Sequence, residues 1–333
     1  MKGEKSSEAG RALSVRVSAF DASFVFYKGG KMNLTEIKIP STDGIHSLRT
    51  KVYTPDTEPI GLLQVVHGMT EHIDRYDRFM KDMCECGYVV FGADNLGHGK
   101  SVRDDSELGF IAHENGWEYL CRDVAAVCEH IKKNYPALPC YLLGHSMGSF
   151  IVRVASERYI TPDKLIIMGT GGPNPLASIG ITLAKLIKAA KGENHISALI
   201  DNLAFGSYND RFKDDGDKGW LTRDASVREK YISDKYCTFK FTISAMIDLL
   251  TLCKKSNESI WYKTMSAKKI PMLLTSGEDD PVGDYGKGVV KVYELLKDQN
   301  ADVSVKLYKN YRHEILNDSS YQAVISDIKD FLL

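Results

Sequence analysis

Tryptophan, proline and cysteine are all scarce in this chain of 333 residues, which holds three, ten and seven of them. With so little proline and 27 scattered glycines, collagen-like and low-complexity architectures are excluded. The cysteines (Cys84, Cys86, Cys121, Cys128, Cys140, Cys237, Cys253) are odd in number and dispersed. A secreted disulfide scaffold shows an even, clustered set, so these read as reduced, mostly buried thiols of a cytoplasmic protein. Cys84-x-Cys86 is one residue too tight for the C-x-x-C metal or redox spacing. An excess of either charge is also missing: 43 Lys and Arg face 44 Asp and Glu, a net charge of −1. That balance argues against nucleic acid as the main partner, because phosphate binding needs a basic excess or a dense basic stripe. No apolar run approaches the roughly 18 residues of a membrane span, and the polar start Met1–Gly10 leads into no signal-peptide core.

What remains is ordinary soluble usage, 43% hydrophobic and 26% charged, in a chain long enough to bury a large core without staples. The first 31 residues read as an N-terminal extension. Lys28-Gly29-Gly30-Lys31 directly precedes Met32, and a regular strand pattern begins only at Leu34. Two readings of this leader stay open: a mobile tail, or translated upstream sequence with Met32 as the true start. From Leu34 the pattern is strand, strand, then alternating strand and helix. Leu34–Pro40 and Leu48–Tyr53 are strand-like around the turn signal Ser41-Thr42-Asp43-Gly44. Leu62–Val66, Tyr88–Ala93, Cys140–Leu143 and Lys164–Met168 are short apolar runs of the kind buried on both faces. Amphipathic stretches of helical length separate them, and two further strand–helix pairs follow from Pro271. This alternation predicts an α/β fold, a mostly parallel sheet with helices on both faces.

Between Gly172 and Lys269 the alternation breaks. This stretch is helical and irregular, with apolar faces on Leu176–Ala190 and Phe239–Leu252 and a net charge of about +4 counted from its residues. It reads as a cap, residues 173–268, inserted between the two parts of a core formed by residues 32–172 and 269–333. The cap stripes that include Leu183, Ile187, Phe241 and Met246 have two readings, an acyl-chain channel or packing onto the core.

Gly144-His145-Ser146-Met147-Gly148 fits G-x-S-x-G, and it lies between a strand and a helical stretch. A sharp strand-to-helix turn crowds the backbone, and small residues two positions either side relieve it. Ser146 is therefore the candidate nucleophile. A serine hydroxyl needs a base, and the base needs a carboxylate behind it. Only His195 and His313 follow Ser146; His195 sits in a polar loop of the insertion, so His313 is the candidate base. The acid lies in Gly277-Glu278-Asp279-Asp280-Pro281. Asp280 is preferred to Asp279 because it stands beyond the turn and Pro281 fixes the chain there. Two N–H donors must face an oxyanion, and Met147 together with Met69 of His67-Gly68-Met69-Thr70-Glu71-His72 are the candidates. His67 is placed with the cap residues as a candidate substrate contact. His67, His72, His98 and His145 show no H-x-x-H or H-E-x-x-H spacing, and no metal or organic cofactor is expected.

Together with Asp94-Asn95-Leu96-Gly97-His98-Gly99-Lys100-Ser101 and His313-Glu314-Ile315-Leu316-Asn317, these blocks resemble the monoacylglycerol lipase and lysophospholipase group of serine α/β-hydrolases. The resemblance runs from about Glu36 to the C-terminus. It implies an eight-stranded α/β-hydrolase core, an inserted helical cap, a Ser146–Asp280–His313 triad and a lipid ester as substrate, with at most transient contact to a membrane surface. A small-ester carboxylesterase or thioesterase with the same triad is the alternative, followed by an aminopeptidase-like enzyme or a non-catalytic binding protein of the same fold.

Overall fold

The computed structural model describes residues 25–29 and 32–333. Its sheet begins with three antiparallel strands, β1 (Val25–Gly29), β2 (Met32–Pro40) and β3 (Ser47–Pro55), and continues with β4 (Gly61–Val66). Helix α1 (Asp77–Glu85), β5 (Tyr88–Ala93), α2 (Gly116–Lys132), β6 (Cys140–His145), α3 (Met147–Arg158) and β7 (Lys164–Met168) follow. The insertion then contributes α4 (Ala177–Lys191), α5 (Ala198–Phe205), α6 (Ala225–Ser233), α7 (Ile243–Lys255) and α8 (Ser259–Lys268). The chain closes with β8 (Met272–Gly277), α9 (Lys287–Asp298), β9 (Val303–Tyr308) and α10 (Gln322–Leu332).

The strand order is β1-β2-β3-β5-β4-β6-β7-β8-β9. Pairing is antiparallel from β1 to β5 and parallel from β5 to β9. The eight expected strands are β2 to β9. The ninth, β1, lies inside the stretch read as a leader, where it pairs with β2 from Val25↔Glu36 to Gly29↔Met32. Residues 1–24, 30 and 31, on which the reading of the true start also bears, lie outside the described residues.

Strand alternation divides the core in two. Leu62, Val66, Val89, Phe91, Leu142 and Ile167 point to the side covered by α2, α3 and α9. Leu63, Val65, Val90, Leu143, Ile166 and Met168 point to the side covered by α1 and α10. Such strands are mainly apolar because both faces are buried.

The insertion is tied to the core through a buried guanidinium. From α3, Arg153 donates to the Thr170 hydroxyl (3.2 Å) and the Gly171 carbonyl (3.3 Å) just after β7. It also donates to Ser256 O and to Asn257 Oδ1 (3.0 Å) at the end of α7. The Trp261 indole stacks on it at 4.2 Å and donates to the Arg153 carbonyl at 2.7 Å. Both ends of the insertion thus close on one residue of α3.

Candidate active site

The parallel strands aim their C-terminal ends at one region, the usual place for a ligand in such sheets. Ser146 stands there between β6 and α3 with φ 55° and ψ −121°. An L-residue rarely takes this conformation, and it persists only where neighbours enforce it. The enforcement is steric and hydrogen-bonded. A Cβ on Gly144 would collide with the Gly148 carbonyl, and one on Gly148 with the Val66 carbonyl. The Ser146 N–H donates to Met168 O at 3.0 Å.

Asp280 and His313 come from the loops after β8 and β9. His313 Nδ1 lies 2.9 Å from Asp280 Oδ2, and both residues are fully buried. Asp280 also accepts from the Ser276 hydroxyl (2.8 Å) and the Val282 N–H (2.9 Å). Burial acts to raise its pKa, but His313, Ser276 and the Val282 amide outweigh burial and hold the carboxyl below its ordinary value. Of the two adjacent aspartates, it is Asp280 that meets the imidazole; Asp279 is half-buried and only its backbone is engaged, with Tyr311 O.

Met69 and Met147 line the same cleft as Ser146 and His313. Met147 opens α3, where the first N–H groups have no intrahelical acceptor. The loop bearing Met69 is fixed by Glu71, which accepts from the Gly68 N–H at 2.6 Å.

A second layer, which sequence reasoning did not find, stands behind these residues. The Tyr76 hydroxyl lies 2.8 Å from Glu71 Oε1 and 2.7 Å from His145 Nδ1, and His145 Nε2 lies 3.2 Å from the His313 carbonyl. A phenol has one proton, and a carboxylate only accepts. Tyr76 therefore donates to Glu71 and accepts from His145 Nδ1–H. A carbonyl also only accepts, so His145 Nε2 must carry a proton too. His145 is then an imidazolium whose ring centre is 4.7 Å from that of His313. Burial works against this charge, but Glu71, Glu314 and the His313 carbonyl outweigh it and raise the His145 pKa. Arg75 completes a balanced set of four charges by binding Glu71 (2.6 Å) and, with two prongs at 2.6 and 2.7 Å, Glu314. Local spacing gives no hint of it beyond the polar residues crowded in the Glu71–Tyr76 block.

The cleft has a volume of about 1070 Å³. An aromatic series leads from the cap to the imidazole: Phe205 on Tyr208 (5.6 Å), Tyr208 on Trp220 (5.1 Å), Trp220 on His313 (5.1 Å). Leu249 and Phe239 add apolar wall. The cap residues expected at the substrate lie elsewhere. Phe241 and Met246 are buried in the main core, and Leu183 and Ile187 pack against it. The reason is that α4 and α7 face each other, so their apolar stripes cover one another. His67 is not a substrate contact either. It is fully buried, its Nδ1–H donates to Gly68 O (2.8 Å), and its Nε2 accepts from the Asn95 N–H (2.9 Å), so both ring nitrogens hold the loop.

Similarity to known proteins agrees with this fold. Human monoglyceride lipase is 28% identical over 265 residues, 79% of this chain and 78% of that protein. The monoacylglycerol lipase of Mycolicibacterium smegmatis is 27% identical over 283 residues, 85% and 91% of the two chains. A thermostable carboxyl esterase from Bacillus coagulans, solved in complex with glycerol, superposes with a TM-score of 0.83 at 27% identity and covers 90% of this chain and 99% of its own. Residues 57–320 match the family described as serine aminopeptidase, S33, and the chain belongs to that family of the α/β-hydrolase fold.

Proposed function

We propose that this chain is a serine ester hydrolase that cleaves lipid monoesters of the monoacylglycerol or lysophospholipid kind through an acyl-enzyme on Ser146. The observation that carries this is the buried His313–Asp280 pair sharing one cleft with Ser146, whose strained backbone at a strand-to-helix turn suits a nucleophile elbow. Ser146 attacks the ester carbonyl while His313 takes its proton. Asp280 holds Nδ1–H, which fixes the tautomer and steadies the imidazolium that forms. The N–H groups of Met69 and Met147 receive the oxyanion, each contributing about 3 kcal/mol in sites of this type. His313 then protonates the leaving alcohol, and water repeats the cycle.

Two features support a long acyl chain. Phe205, Tyr208, Trp220 and Leu249 give the cleft an apolar wall large enough for one. On the outside of the cap, Leu176, Ile179, Leu186 and Leu203 are 66%, 65%, 64% and 66% exposed, with Lys185 and Lys191 also exposed on the same stretch. An apolar face with a basic margin suits transient contact with a lipid surface. Among the described residues no helix is long and apolar enough to cross a membrane.

An aminopeptidase-like activity is the second reading, favoured by Asp201 and Asp217 at the cleft. Both stand near Lys218, which offsets the field a substrate ammonium would need. The test is a series of nitrophenyl esters of increasing chain length, run beside monoacylglycerol, lysophospholipid and an amino-terminal peptide anilide. kcat/KM rising with chain length to eight carbons or more supports the lipid reading, since each buried methylene adds about 0.8 kcal/mol. A maximum at acetate, or preference for the anilide, overturns it.

A further inference from the structure

Among the described residues one group of three metal-ligating side chains converges: His72, Asp234 and Cys237. His72 belongs to the core loop after β4; the other two belong to the cap, just beyond α6, 162 and 165 positions along the chain. Their ligand atoms, an imidazole nitrogen, a carboxylate oxygen and a sulfur, all lie within 4.8 Å of one another. A local turn presents the cap pair on one side: the Cys237 N–H donates to Asp234 O (2.9 Å), and the Tyr236 N–H holds Asp234 Oδ1 (2.8 Å). Asp234 Oδ2 is thereby turned to His72 Nε2 at 2.9 Å. Behind the ring, Asp74 Oδ2 faces His72 Nδ1 at 3.7 Å. A carboxylate behind a ligating histidine is the usual outer arrangement of zinc sites. His72 and Cys237 are buried, while Asp234 is partly open to solvent, which gives an ion an entry path.

We propose that His72, Asp234 and Cys237 bind a zinc-type divalent cation that fastens the cap to the core at the edge of the cleft. The donor set is the one such a cation prefers, and one thiolate with one carboxylate neutralises its charge. Ligands of a tetrahedral zinc stand roughly 3.3–3.8 Å apart, so the His72–Asp234 contact opens by about half an ångström as the ion enters. Protons balance as follows: the Cys237 thiol proton leaves to solvent, and His72 coordinates through Nε2 while keeping Nδ1–H toward Asp74. The ion has no part in ester cleavage. Because Cys237, Tyr231 and Ile232 line the cleft wall, and His72 adjoins Glu71, occupancy fixes that wall against the loop that carries Met69. Sequence spacing conceals such a site, since its ligands lie far apart along the chain.

The experiment uses the full chain freed of metal by a chelator and then titrated with cobalt(II) and with zinc chloride. One equivalent of cobalt is expected to give a thiolate-to-metal charge-transfer band that zinc bleaches. The band is lost in Cys237→Ser and weakened at least tenfold in affinity in His72→Gln, and kept in Cys86→Ser. Zinc is expected to raise the unfolding midpoint of wild type and to protect the Cys237 peptide of wild type from alkylation. No band at micromolar cobalt, a band that survives Cys237→Ser, or no protection of Cys237 overturns the proposal. The wild-type protection measurement decides the matter even if a variant fails to fold. All these readouts are independent of which ester, if any, the enzyme cleaves.

Discussion

Arg75 and Glu314, separated by 239 positions in the chain, form a two-pronged ion pair in which neither side chain is exposed. It joins the loop that carries Met69 to the loop that carries His313, so the oxyanion side of the cleft and the base side share one buried contact. Planar bidentate geometry of this kind fixes direction as well as distance. It also closes the charge balance with Glu71 and His145.

Loss of one partner leaves the other buried and uncompensated. Glu314→Gln is expected to cost about 3–5 kcal/mol of unfolding free energy. Urea denaturation of both proteins at one pH measures it. A loss below about 1 kcal/mol, typical of a surface pair, contradicts the role assigned to this contact.

Asp279 and Asp280 differ in one respect that turnover should magnify. Asp280→Asn cannot hold His313 in the working tautomer, and kcat is expected to fall about 10⁴-fold. Asp279→Asn is expected to stay within a few-fold of wild type. Steady-state rates on one ester decide between them; equal losses, or a larger loss at Asp279, contradict the assignment.

The His145 imidazolium makes stability depend on pH in a stated direction. Its pKa is raised on folding, against burial, by Glu71 and its neighbours. A raised basic group contributes fully below its unfolded value of about 6.5, and the contribution is lost as pH rises through the folded value. Glu71→Gln removes the main support. The stability gap between wild type and this variant is therefore expected to be widest below about pH 6.5 and to narrow as pH rises above it, leaving the part due to Arg75 and the Gly68 N–H. Urea unfolding across that range at constant salt measures the gap; one that does not change with pH contradicts a charged His145.

The central parallel strands were legible because each is a short, mainly apolar run buried on both faces, and Tyr88–Ala93 and Lys164–Met168 begin and end where the pattern puts them. Ser146 was legible because its strained turn demands glycine on both sides, a local requirement written into local sequence. The cap was legible only as an insertion. An apolar stripe says that a helix face is covered, not what covers it, and most of the α4 and α7 stripes are covered by each other and by the core, while Leu249 of α7 faces the cleft. The Glu71–Tyr76–His145 chain and the Arg75–Glu314 pair were hidden for another reason: a hydrogen bond between residues far apart in sequence leaves no period to read. His67 was misplaced because its motif lies at the cleft while its ring turns inward to Asn95.

The proposed ester cleavage requires Ser146 as the acyl acceptor. Its most direct test is intact-mass analysis of the protein quenched during turnover of a slowly deacylating aryl ester, followed by peptide mapping. One acyl adduct per chain is expected, located on Ser146 and absent from Ser146→Ala, with turnover in that variant reduced by a factor on the order of 10³ or more. An adduct on another residue, or turnover unchanged in Ser146→Ala, contradicts it.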